Sequence, residues 1–151
     1  MKKITLFVSI LTLSCATNAQ LFTDDFEGYT LGDYIGSNSA DWTTWSGAEG
    51  GVEDVQTTDV EANSGVQSLY FLGQSGGGPQ DVILDFGLQY NDGIFTFESA
   101  FFIKAGKTGY FNFQATSTPG TVWAMNCNFS NGEIRIDDGG SDLAVGSYTE
   151  E

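Results

Sequence analysis

From residue 21 onward, apolar and polar side chains alternate with a period of two, and no long stretch carries helical spacing. Gly, Asn, Asp, Ser and Pro clusters interrupt the alternation at intervals of roughly eight to twelve residues, the rhythm of an all-β sandwich. The pattern predicts strands over 21–26, 52–57, 67–72, 82–86, 94–104, 110–116, 122–129 and 133–137. Asn91-Asp92-Gly93 and Asn131-Gly132 supply residues that tolerate positive φ, as tight hairpins require. Gly76-Gly77-Gly78-Pro79 and Asp137-Asp138-Gly139-Gly140 are further turn signals. No internal repeat is visible.

The stretch from 94 to 137 reads as four strands joined by short turns. Side chains alternate between the faces of a strand. One face collects Phe95, Phe97, Phe101 and Ile103, then Phe111, Phe113 and Ala115, then Trp123, Met125, Cys127 and Phe129, then Ile134 and Ile136. Each large side chain buried there contributes roughly 1.5–3 kcal/mol before chain entropy is counted. The opposite face carries Thr96, Glu98 and Phe102, then Tyr110, Asn112 and Gln114, then Asn126 and Asn128, then Arg135. Amides donate and accept together, and aromatic rings stack on the apolar faces of pyranoses, so this set suits sugar hydroxyls. Glu98, Tyr110, Asn112, Gln114, Asn126, Asn128 and Arg135 are the candidate ligand-binding residues. A solvated outer sheet face would show the same alternation, and both readings stay open at this point.

The first twenty residues follow a different logic. Lys2 and Lys3 precede an apolar run from Ile4 to Leu13, and Thr17-Asn18-Ala19 offers short side chains for cleavage. Residues 1–19 are therefore expected to be a signal peptide, and 20–151 a β-sandwich domain. The apolar run falls short of the ~20 residues a spanning helix needs, so no membrane insertion is expected after cleavage. Leu13-Ser14-Cys15 offers a lipoprotein alternative, with Thr12 where an aliphatic residue would belong. Either way the protein is expected to be secreted or held at the cell surface. Cleavage would leave Cys127 as the single cysteine, without an internal disulfide partner. It is expected to be a buried small hydrophobe.

Composition narrows the chemistry. Five Lys and Arg stand against 20 Asp and Glu, for a net charge of −15. That excludes an electrostatic grip on nucleic-acid phosphates, argues against docking on anionic lipid and favours a soluble monomer. Histidine is absent, which excludes Ser-His-Asp or Cys-His catalysis and His-ligated zinc. Aromatics make up 14% of the chain, too many for an acidic disordered segment, so a packed core is expected.

The acidic run Asp24-Asp25-Phe26-Glu27 raises the question of a structural ion. Ca²⁺ takes six to eight hard oxygen ligands at roughly 2.3–2.6 Å, and strand parity would place Asp25 and Glu27 on one face with Phe26 inward. Those two residues are the candidate metal ligands, with a charged surface strand end as the equal alternative. Glu49, Glu53 and Asp54 form a weaker second cluster.

Several segments carry a family resemblance. They are Asp24-Asp25-Phe26-Glu27-Gly28-Tyr29, Asp41-Trp42-Thr43-Thr44-Trp45-Ser46-Gly47, Glu49-Gly50-Gly51-Val52-Glu53-Asp54-Val55, Asn63-Ser64-Gly65-Val66-Gln67-Ser68-Leu69, Gly77-Gly78-Pro79-Gln80-Asp81-Val82 and Pro119-Gly120-Thr121-Val122-Trp123-Ala124. Through them the chain from about Phe22 onward resembles the concanavalin A-like (laminin-G-like) jelly-roll domains of secreted bacterial proteins. The resemblance is nearest to those that carry a type IX secretion sorting domain. It implies an all-β, antiparallel two-sheet jelly-roll sandwich whose concave face often binds glycans and whose edge calcium often stabilises. Related sequences continue into further core strands and a sorting domain, so the chain is expected to be an N-terminal fragment.

The β-glucanases of that superfamily carry their carboxylates on one strand, in a run resembling Glu-x-Asp-x-(x)-Glu. No such run exists here. Glu98 stands alone, and Asp81 and Asp85 would lie about 13 Å apart along a strand, against the ~5–5.5 Å of a retaining pair. The expectation is a non-catalytic module binding carbohydrate or another extracellular surface. A structural spacer of a cell-surface adhesin and a glycoside hydrolase-like domain are the alternatives.

Overall fold

The structure is a computed structural model that describes residues 20–87 and 92–150. The expected signal peptide at 1–19, with Cys15, lies outside the described residues, as does Asn91 of the Asn91-Asp92-Gly93 turn. Among the described residues, one helical turn, α1 (Ile35–Asn38), precedes eight strands: β1 (Trp42–Thr44), β2 (Gln56–Thr58), β3 (Ser68–Tyr70), β4 (Val82–Leu84), β5 (Gly109–Gln114), β6 (Trp123–Ser130), β7 (Glu133–Asp137) and β8 (Asp142–Ser147). The chain is nearly all-β, and every pairing is antiparallel. β1 pairs with β4, β2 with β3, and β5-β6-β7-β8 form a four-stranded meander. Among the described residues, no helix is long and apolar enough to cross a membrane.

The meander follows the predicted turn chemistry. Asn131 and Gly132 take φ of 52° and 77°, the doubly positive geometry of a two-residue hairpin, and Ser130 pairs with Glu133 across it. At the next turn, Asp137 Oδ1 accepts the Gly139 N–H, and Asp138 Oδ1 accepts those of Gly140 and Ser141. This turn leads into β8, a strand outside the predicted set, whose residues are all exposed.

Two predicted strands do not form, the predicted 52–57 strand keeps only residues 56 and 57 within β2, and β1 lies outside the predicted set. Residues 21–26 end in a turn in which Phe26 adopts φ 64°, because Asp24 Oδ1 accepts the Phe26 N–H and Asp25 Oδ1 that of Glu27. Short carboxylates that capture the backbone two residues on favour turns over ladders. Residues 94–104 form no ladder either. Their phenylalanines still land on the meander: Phe97 lies 5.5 Å from Phe111 and 5.1 Å from Phe113, and Phe101 lies 5.3 Å from Phe111 and 5.0 Å from Phe129. The alternation placed the rings correctly, and side-chain packing rather than backbone pairing holds the segment.

Two small cores result. In the first half Ile35 and Val55 are fully buried, with Thr44, Asp54 and Thr57 beside them. Asp54 organises this region. Its Oδ1 accepts the N–H groups of Gly36 (2.9 Å) and Val55 (2.8 Å), and its Oδ2 that of Gly50 (2.8 Å). In the second half Cys127 and Phe129 are buried. Cys127 is a free thiol, and burial pushes its pKa up, so it behaves as the expected small hydrophobe. Aromatic contacts join the halves: Trp45 stacks on Trp123 with centroids 6.3 Å apart, and Phe86 on Phe113 at 6.4 Å.

Candidate functional site

The meander's register determines which side chains share a face. Asn112 stands opposite Asn126, and Tyr110 opposite Asn128. Asn128 stands opposite Arg135 and Asn126 opposite Asp137. Tyr110, Asn112, Gln114, Asn126, Asn128 and Arg135 therefore form one continuous face, with Phe111, Phe113, Cys127 and Phe129 on the other. Asp137, absent from the predicted set, shares the row of Asn112 and Asn126.

Hydrogen bonds link this face. Tyr110 Oη donates to Asn126 Oδ1 at 2.6 Å. Gln114 Nε2 donates to Asn112 Oδ1, and Gln114 Oε1 accepts the Gly120 N–H at 3.1 Å. Among the described residues, the amide nitrogens of Asn112 and Asn126 have no hydrogen-bond partner within the chain and can donate to a ligand.

Arg135 is committed elsewhere. Its Nε donates to Asp142 Oδ1 at 3.0 Å and its Nη2 to the Asp142 carbonyl, while Nη1 pairs with Glu133 Oε2 at 3.3 Å. The Asp142 hydrogen bond and charge, then Glu133, raise its pKa. Glu98 belongs to the unpaired 94–104 segment, is exposed, and is not brought into the amide network among the described residues.

One part of the predicted alternation fails. β6 carries an extra residue between the pairs Phe113–Met125 and Gln114–Trp123. This bulge shifts the phase, so Trp123 stands opposite Gln114 and stacks on Trp45 instead of continuing the Met125–Cys127–Phe129 row. A single sequence offers no signal for the bulge. Trp45 and Trp123 are 36% and 46% exposed.

The calcium candidates are placed differently from the strand-parity argument. Asp25 caps a turn. Glu27 Oε1 accepts the N–H groups of Val66 and Gln67, both at 2.7 Å, and so clamps the loop entering β3. Each carboxylate has a second oxygen free of these bonds. Asp25 also lines a cleft of about 390 Å³ with Phe22, Thr23, Asp24, Gly28, Tyr29 and Asp41. Asp24 accepts hydrogen bonds there from Tyr29 Oη (2.9 Å) and Trp42 Nε1 (3.0 Å). Burial pushes the Tyr29 pKa up, and the Asp24 carboxylate adds to the effect.

A second carboxylate pair lies where β1 meets β4. Ser46 donates to Glu53 through both its hydroxyl and its backbone N–H, which holds Glu53 below its ordinary range. Asp81, exposed but partly desolvated and with its N–H donating to the Glu53 carbonyl at 2.8 Å, is pushed up first by that desolvation and then by the Glu53 charge. A carboxyl whose folded pKa is raised stabilises the fold while protonated, and that contribution is lost as pH rises through the folded value. Asp81→Asn is thus expected to raise the melting temperature at neutral pH, on the order of 2 °C. Near about pH 3, where both proteins are neutral at this position, the difference should vanish. A thermal melt series across pH checks this, and a variant less stable at neutral pH would refute it.

Comparison with protein-family models, with curated proteins and with solved structures finds no match for the chain. The functional reading therefore rests on the geometry described above.

Proposed function

We propose that this chain is a secreted, non-catalytic β-sandwich module of the concanavalin A-like jelly-roll kind that binds carbohydrate or another extracellular surface. The observation that carries the reading is the register of β5, β6 and β7. It sets the half-buried Asn112 against the half-buried Asn126, and the exposed Tyr110 against the exposed Asn128, on one face. Sugar hydroxyls donate and accept, and carboxamides answer both demands from one side chain. Calcium held through the free oxygens of Asp25 and Glu27, with carbonyl and water oxygens completing the shell, is part of the same proposal.

A glycan array run in Ca²⁺ and again in EDTA tests it. Binding to at least one polysaccharide is expected, and Asn112→Ala and Asn126→Ala should each weaken it by about tenfold, the loss of one or two ligand hydrogen bonds. A calcium contribution would appear as binding reduced by EDTA and by Asp25→Asn. Silence across the array, with the protein folded, would remove carbohydrate from the reading.

A further inference from the structure

The exposed tryptophan pair lies outside everything the amide face explains. Trp45 follows β1 directly, its N–H donating to the Asp81 carbonyl. It reaches across to the β5–β6 loop, where Gly120 adopts φ 76°. A Cβ on Gly120 would lie 2.8 Å from Trp45 Cζ2 and 3.7 Å from Trp123 Cη2, so only glycine lets the two indoles close over this turn. The rings are inclined by 29° and remain substantially exposed. The two indoles belong to a wider set of exposed apolar side chains that includes Phe71, Leu72 and Val122, and Trp123 stands opposite the hydrogen-bonding Gln114.

The pair adjoins the amide network. The same Gly120 donates its N–H to Gln114, Gln114 donates to Asn112, and Asn112 stands opposite Asn126. Aromatic planes therefore continue into a row of amides. A ligand that satisfies both has an apolar C–H face and hydroxyls around its rim, which describes a pyranose ring. The charges decide the kind of pyranose. The one cation of the amide face, Arg135, is neutralised by Asp142 and Glu133, Asp137 shares the Asn126 row, and the chain carries a net charge of −15. A uronate or sulfate would meet repulsion without a counter-charge.

We infer that Trp45 and Trp123 form a ring-stacking subsite beside the Asn112–Asn126 row, and that the subsite takes uncharged glycans and rejects anionic ones. The inference rests on the carbohydrate reading proposed above. It names the residues that contact the sugar face and the class of sugar.

Affinity electrophoresis and intrinsic tryptophan fluorescence test it with the whole chain. The neutral probes are β-1,3-glucan, xylan and mannan; the anionic probes are alginate, polygalacturonate and κ-carrageenan. The expected result is retardation by at least one neutral polymer and by no anionic one. The bound state should show a shifted tryptophan emission, and an affinity insensitive to salt from roughly 50 to 500 mM NaCl. Trp45→Ala and Trp123→Ala should each lose at least about tenfold in affinity, and Trp45→Phe, which keeps a ring and tests the subsite even where the alanine variant folds poorly, should lose less. Retention of neutral-glycan affinity in folded alanine variants, with no emission change in the unsubstituted protein, would overturn the stacking subsite and leave the carbohydrate reading standing. Binding confined to anionic polymers would overturn the charge assignment alone. Binding to none of the six would remove the carbohydrate reading and this inference together.

Discussion

Asp54→Ala is expected to lower the unfolding free energy by about 3–5 kcal/mol. The carboxylate is 1% exposed and accepts three backbone N–H groups, from Gly36, Gly50 and Val55. Among the described residues the only ion pairs are those of Arg135, so amide dipoles rather than a cation stabilise the buried charge. Removing the carboxylate leaves three donors without a partner, each costing roughly 1–3 kcal/mol, less whatever an entering water recovers. Asp54→Asn should cost roughly half as much. Its amide oxygen can still serve Gly36 and Val55, while its NH₂ group faces the Gly50 N–H. Urea unfolding of the two variants gives both values, and a loss below about 1 kcal/mol for the alanine variant would mean that these N–H groups find other acceptors. The consequence reaches the proposed ring-stacking subsite. Asp54 ties α1 and the Gly50 turn to the start of β2, and β1, which leads into Trp45, lies between those two anchor points. The alanine variant should therefore weaken glycan binding at temperatures where it is still folded.

Asp54 also shows where legibility ended. Its sequence neighbourhood, Glu49, Glu53 and Asp54, reads as a second, weaker candidate cluster for a metal ion, because a carboxylate's usual place is in water or against a cation. What buries it is the approach of Gly36, eighteen positions away, where a Cβ would stand 2.9 Å from Asp54 Oδ2. That contact is long-range and leaves no local pattern. The meander was legible for the opposite reason. The strands β5 to β7, the Asn131-Gly132 turn and the two-faced alternation are local properties, so the row of Asn112 and Asn126 was legible in the sequence, whereas β8 was not. Alternation ceases to inform where the phase slips by one residue, as at the β6 bulge, and Trp123 moved with it. The segment around Asp24 and Asp25 failed differently: its apolar positions suggested a strand, but the carboxylates bond to the backbone two residues ahead and turn the chain.

Phe111→Ala should cost about 3 kcal/mol, the low end for a core phenylalanine because the ring is only half-buried. The larger effect should be local. Phe111 contacts the rings of Phe97, Phe101, Phe113 and Phe129 at centroid distances of 5.5, 5.3, 5.9 and 6.2 Å. It is the meander ring that touches both Phe97 and Phe101 of the unpaired 94–104 segment. That segment has no strand ladder, and these rings are among the contacts that attach it, together with Lys104, whose ammonium lies 5.1 Å from the Tyr70 ring centroid. With the central ring gone, Phe97 and Phe101 lose a shared partner, and the segment should open at a free energy well below that of global unfolding. Trypsin reports this directly, because beyond Lys2 and Lys3 its targets are Lys104, Lys107 and Arg135. Cleavage at Lys104 should accelerate several-fold under native conditions while Arg135, inside β7 and paired on both sides, stays protected. Equal acceleration at both positions would mean that segment and sheet unfold as one unit. Because Asn112 and Asn126 lie on the opposite face, any glycan affinity of the folded fraction should change little, which separates the packing role of one face from the recognition role proposed for the other.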